Sequence, residues 1–185
     1  MPWAITLTSL TCCICEITNI DKMRIVMDSD CLIKLTKAGA KEAVAAAAVV
    51  CIPVLVRKET VDQSVAQGFQ DAAAIRSNID QGRLQVIAAG AAASRIAMPA
   101  TKGETEVVAA FAGGNFDVIA SDDRRFLRKL SAANIPFLTA ATCILYAHKA
   151  GKLDHEEALA LLAALRPYIS GEEYSITKLY LERHT

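Results

Sequence analysis

From Met23 onward, short unbroken apolar runs alternate with longer stretches whose apolar positions recur at helical spacing. The runs "RIVMD" (24–28), "VVCIP" (49–53), "RLQVI" (83–87), "FDVIAS" (116–121) and "IPFLTA" (135–140) show little polar alternation. That pattern predicts strands covered on both faces, the second one stopped by Pro53. Between them the spacing predicts helices over 31–39, 40–48, 54–67, 70–82, 103–114 and 123–134. Gly39, Gly68, Gly82 and the pair Gly113-Gly114 supply the stops. The tail is helical: Asp154 and Glu157 are placed as a capping box, and Ser170 and Glu173 repeat that spacing before the last segment. Leu162, Leu165 and Ile169 make one apolar face. Strand–helix alternation of this kind predicts an α/β protein, a three-layer α/β/α sandwich around a parallel sheet of four to five strands. In such sheets the functional crevice lies beyond the C-terminal strand ends.

The acidic residues fall near those ends. Asp28 and Asp30 follow the first strand, Glu59 lies on the helix after the second, Glu104 and Glu106 open the helix before the fourth, and Asp122 and Asp123 follow the fourth. If the first and fourth strands are neighbours, Asp28 and Asp123 emerge side by side, and the helices carrying Glu59 and Glu104 lean over the same edge. Each acid also has a plain structural reading. Asp122, Asp123 or Ser121 would serve as a helix N-cap, Glu104 and Glu106 suit a helix's first turn, and Glu59 sits among charged neighbours. The joint pattern is the stronger signal, because four separate segments bring carboxylates to one rim.

Composition narrows the classes. At 185 residues and 53% hydrophobic, the chain can bury a sizeable core in one domain. A formal net charge of zero argues against a protein that coats nucleic acid non-specifically, while leaving room for a local basic rim around an acidic site, and sparse aromatics argue against base-stacking platforms. The six cysteines form no disulfide framework and have no zinc spacing supported by His148, His155 or His184. Such usage suits a reducing cytoplasm. Residues 1–22 carry an apolar stretch without a basic leader, too short and too broken by Thr and Ser to span a bilayer. They are expected to be a loosely attached extension, with Met23 the natural start and 23–185 the single domain.

"RIVMDSDCLIKLTKAG", "IPVLVRKETVD", "GETEVVAAFA" and "FDVIASDDRRFLRKL" resemble the four acidic segments of PIN-domain nucleases, and "IPFLTAATCILYAHKAGKLDHEEALALLAAL" resembles that family's closing strand and helices. The likeness spans Met23 to about Tyr168. It implies a parallel-sheet fold, Mg²⁺- or Mn²⁺-dependent RNA cleavage, frequent homodimerisation and often the role of toxin in a VapC-type toxin–antitoxin pair, with an antitoxin protein as partner. Asp28 matches the first acid and Glu59 the second. The third is Glu104 or Glu106, Glu104 fitting the following apolar spacing better. In the fourth segment, Ser121, Asp123 and Phe126 fit the pattern, with Asp122 an additional or substitute acid. Asp30 departs from the family's usual small polar residue. The resemblance thus implies catalytic Asp28, Glu59, Glu104 and Asp123, with Asp28, Glu104 and Asp123 at the metal.

The chemistry agrees. Mg²⁺ and Mn²⁺ take hard oxygen ligands, often one or two carboxylates plus waters, and further acids act through those waters. Ser121 would orient such a water or cap a helix. Arg124, Arg125, Arg57 and Lys34 offer positive charge for phosphates. A rival reading takes Asp28 and Asp30 as nucleophile and acid/base of a haloacid dehalogenase-type phosphatase, which leaves Glu59 and "GETE" unexplained. A second rival is an inert PIN-like module that only binds RNA or protein.

Overall fold

The computed structural model describes residues 22–63, 70–88 and 102–183. The elements run β1 (Arg24–Met27), α1 (Ser29–Lys37), α2 (Lys41–Ala47), β2 (Val49–Pro53), α3 (Val54–Arg57), a π-helical segment (Lys58–Gln63), α4 (Gln70–Asp80), β3 (Leu84–Ile87) and α5 (Lys102–Gly113). They continue with β4 (Val118–Ala120), α6 (Arg124–Ala132), β5 (Phe137–Leu138), α7 (Ala140–Lys149), α8 (His155–Leu165) and α9 (Gly171–Arg183).

The five strands form one parallel sheet in the order β3-β2-β1-β4-β5, with helices on both faces. Ile25, Val26 and Met27 of β1 and all of β4 are buried, as unbroken apolar runs require. The strand order reverses about β1, because the chain builds outward through β2 and β3 and then returns to β1's other side with β4. This is the topological switch point at which parallel α/β sheets open a crevice. Met27 pairs with Ala120, so Asp28 and Ser121 leave the sheet at the same level. The backbone N–H of Asp28 donates to the Ala120 carbonyl at 3.0 Å and fixes that level.

Gly39 and Gly82 adopt φ of +73° and +70°, the left-handed conformation that ends a helix cheaply only at glycine. Two elements differ from the sequence expectation. The helix expected over 54–67 is α-helical only to Arg57 and then widens into the π segment, which holds Glu59. The fifth strand shrinks to two residues, because α7 starts at Ala140 behind a Thr139–Thr142 capping box. The free thiols of Cys31, Cys51 and Cys143 are buried. Apart from Lys22, the expected N-terminal extension lies outside the described residues, as do Gly68 and most of the alanine-rich stretch before Thr101. Among the described residues no helix is long and apolar enough to cross a membrane.

Candidate active site

Asp28 is the first residue past β1 and takes an extended conformation that caps α1, its Oδ1 accepting from Cys31 N at 2.9 Å. Burial pushes its carboxyl up to about 7. The Ser121 hydroxyl and the Cys31 N–H pull the other way, and the charges of Asp122 and Asp30 add to the rise. Ser121 is wholly buried and anchored by its backbone N–H on Leu138 O at 2.9 Å.

The two aspartates after Ser121 do different things. Asp122 points inward, with a side chain only 3% exposed. Its Oδ1 accepts from Ala140 N at 2.9 Å, at the start of α7. Its Oδ2 has no hydrogen bond, and the Lys34 ammonium stands 3.5 Å away. Burial raises the Asp122 pKa, the Ala140 N–H and Lys34 oppose that, and the Asp30 charge reinforces it. Asp123 is exposed and caps α6, its Oδ1 accepting from Arg125 N at 2.7 Å and Phe126 N at 3.1 Å. It is therefore Asp122 whose charge acts on Asp28, while the motif-matched Asp123 does a cap's work.

Glu59 bridges the two other acidic segments. Ser29, adjacent to Asp28, donates its hydroxyl to Glu59 Oε2 at 2.5 Å. On the far side, a Cβ added to Gly103 would stand 3.9 Å from Glu59 Oε1, so the carboxylate lies against the first turn of α5. The neighbouring Glu104, 12% exposed, is gripped by Lys129 Nζ at 2.9 Å to both oxygens. Glu106 turns elsewhere: its Oε2 accepts from Leu55 N at 3.1 Å. That bond satisfies an amide at the start of α3, where the N-cap Pro53 brings no side-chain cap. The geometry thus separates the two glutamates that the sequence left open.

Asp30 is half exposed and pairs with Lys34 at 2.8 Å. Burial disfavours the Lys34 charge, yet Asp30 and Asp122 outweigh it and raise its pKa. Arg124 and Arg125 sit exposed on the first turn of α6, and Arg57 reaches Asp62 at 3.7 Å on the surface.

One further acid enters from a segment the motifs do not mark. Ser170 accepts from Glu173 N at 3.2 Å, as the capping spacing suggested. The Glu173 carboxylate, however, lies where the Thr139 hydroxyl favours its charged form, in the field of Asp122, Lys34 and Arg124. Burial, the dominant influence, raises its pKa. Its surroundings are set by how α9 packs on α7, which no local pattern reports.

Among the described residues, no three Asp, Glu, His or Cys side chains stand close enough to hold one metal ion together. A divalent ion of the Mg²⁺ class does not need three, since it is commonly held by one or two carboxylates and keeps its waters. The pair Asp28 and Asp122 fits that requirement. Asp28 is half-buried and the Asp122 side chain 3% exposed, the Asp122 charge raises the cost of ionising Asp28, and Asp122 Oδ2 lacks a hydrogen bond.

A family model described as a PIN domain matches residues 24–178, from the first residue of β1 into α9. The chain belongs to the PIN-domain family. Members of that family are generally nucleases. No curated protein matches the chain. The match covers Glu59 and the α5 acids, which the phosphatase reading leaves idle.

Proposed function

We propose that the protein is a divalent-metal-dependent endoribonuclease that works with Mg²⁺ or Mn²⁺ held chiefly by Asp28 and Asp122. The observation that carries this reading is the parallel pairing of β1 with β4, which sets Asp28 against Ser121 and Asp122 at the switch point of the sheet. Two buried carboxylates in each other's field are costly unless a cation lies between them. Bound there, the ion supplies a water acidified toward neutral pH and a counter-charge for the phosphoryl oxygens.

The chain's own groups do the rest. Ser29, next to Asp28, holds the Glu59 carboxylate, which would take the proton from the attacking water. Lys129 holds the Glu104 carboxylate in place, so that it orients waters from the α5 side. Arg124 and Arg125 line the exposed rim next to Asp122 and bind phosphates of the RNA strand, with Arg57 and Lys34 as further positive charges. In-line attack by water leaves a 5′-phosphate and a 3′-hydroxyl without using the ribose 2′-hydroxyl.

Labelled RNA and a small chromogenic phosphate ester, each incubated with Mg²⁺ or Mn²⁺ and with a chelator, test the reading. The expected result is RNA cleavage that needs the ion, leaves 5′-phosphate ends and disappears in Asp28→Asn. Cleavage that persists in chelator, or 2′,3′-cyclic phosphate products, contradicts it. Hydrolysis of the ester alone establishes the phosphatase instead. We assign the enzyme to the cytoplasm, as a homodimer and as the toxin of a VapC-type pair. Growth arrest on expression in bacteria, relieved by the product of the adjacent gene, tests that assignment.

A further inference from the structure

Among the described residues, three buried side-chain polar atoms lack a hydrogen bond: Asp122 Oδ2, Glu173 Oε1 and His155 Nδ1. Two of these three belong to carboxylates that meet at one place. Asp122 takes a hydrogen bond from Ala140 N at the N-terminus of the ten-residue helix α7, and Glu173 lies near enough for the Thr139 hydroxyl at that same terminus and the Asp122 charge to act on it. The helix terminus satisfies one oxygen of Asp122 and leaves the other open. Lys34 leans toward Asp30, at 2.8 Å, and stays 3.5 Å from Asp122. An oxygen without a hydrogen bond on a side chain 3% exposed is costly, and more so when it carries charge. Two buried carboxylate oxygens without a hydrogen bond, on side chains in one electrostatic neighbourhood, are suited by a ligand that donates to both, and a hydrated cation does so.

We propose that Glu173 is a positioning residue of the cation site, reaching in from the C-terminal helix to accept hydrogen bonds from the hydration shell of the ion beside Asp122. The inference rests on the metal-dependent reading above and extends the site beyond the four acidic segments to α9. Glu173 acts through water, consistent with the lack of a three-ligand cluster among the described residues. It also makes α9 part of the active site, so displacement of that helix would loosen the ion.

Calorimetric titration of the full-length protein with Mn²⁺ tests this without reference to activity. Glu173→Gln, which keeps the shape and removes the charge, is expected to raise the Mn²⁺ dissociation constant about tenfold, the usual scale for an outer-sphere partner. In chelator the same variant unfolds at no lower urea concentration than wild type. Glu173→Asp keeps the charge but withdraws the oxygens, and is expected to weaken Mn²⁺ binding as well. The exposed neighbour Glu172→Gln leaves the affinity unchanged. Wild-type affinity in Glu173→Gln overturns the inference, and wild-type affinity in Glu173→Asp reduces the residue to a diffuse charge and overturns positioning. A wild-type protein that binds no Mn²⁺ removes the metal-dependent reading itself, whereas wild-type binding with unaffected variants removes only the role of Glu173.

Discussion

Replacing Asp28 with asparagine should make the metal-free protein more stable while abolishing its activity. The Asp28 carboxyl titrates at about 7 in the folded chain against an ordinary value of 3.8, so folding takes up a proton between those limits. For an acid whose pKa is raised on folding, the penalty is absent below the unfolded value, grows as pH rises and is complete above the folded one. Roughly three pKa units at ~1.4 kcal/mol each set a ceiling on the order of 4 kcal/mol, and relaxation of the neighbours brings the expected gain to about 1–3 kcal/mol. Asparagine keeps an oxygen for the Cys31 amide, so the α1 cap survives and the charge alone is removed. Urea unfolding followed by far-ultraviolet circular dichroism in chelator reads the difference. The variant should be the more stable at about pH 8 and equal to wild type at about pH 4. Saturating Mn²⁺ should then reverse the order, since only wild type gains binding energy, about 4.1 kcal/mol at a thousandfold excess over the dissociation constant. A variant that is less stable than wild type at the higher pH, or whose difference is the same at both, refutes the picture of a buried, charge-stressed carboxylate.

The other residues of the rim give separable outcomes. Ser29→Ala should cost about 1.5–3 kcal/mol of stability by removing a hydrogen bond to the charged Glu59 carboxylate, and should lower kcat more than it raises KM; unchanged turnover contradicts the role given to Glu59. Glu106→Ala should cost about 1 kcal/mol in urea unfolding through the uncapped start of α3 and leave RNA cleavage measurable, whereas Glu104→Gln should remove cleavage. Asp123→Ala should likewise cost about 1 kcal/mol by uncapping α6 and retain Mn²⁺ binding, while Asp122→Asn loses it. Arg124→Ala with Arg125→Ala should weaken RNA binding and flatten its salt dependence by about 0.7 log units for each RNA phosphate no longer neutralised.

Much of the scaffold was legible because fully covered parallel strands advertise themselves as unbroken apolar runs. β1, β2 and β4 appear within the runs read for them, and the glycine stops at Gly39 and Gly82 are real left-handed positions. The helix α7 was legible only through the family resemblance. Ala140, Ala141 and the run from Cys143 to Ala147 are buried, so the helix has no broad polar face and no amphipathic period to read. The π segment at Lys58–Gln63 escaped because one extra residue per turn leaves no signature in apolar spacing, yet it sets where Glu59 points.

The site followed the same division. That acids would gather at strand ends could be read from four short segments. Which acid of each pair turns inward could not, because Asp122 and Asp123 differ by one residue of backbone phase after β4, and either position makes a good cap. Glu104 and Glu106 parted company over bonds to Lys129 and to the Leu55 amide, both of them tertiary. Glu173 lies far beyond Asp122 along the chain, on a helix whose first turn reads as ordinary capping.

One divalent ion shared by the ends of β1 and β4 is central to the proposed mechanism. Crystals of the protein containing Mn²⁺, measured for anomalous scattering, test this most directly. The expected result is one strong peak within about 2.5 Å of carboxylate oxygens of both Asp28 and Asp122, with waters completing the shell toward Glu59, Glu104 and Glu173. A fully loaded crystal whose peak touches neither aspartate, or that shows Lys34 still against Asp122 with no ion present, contradicts it.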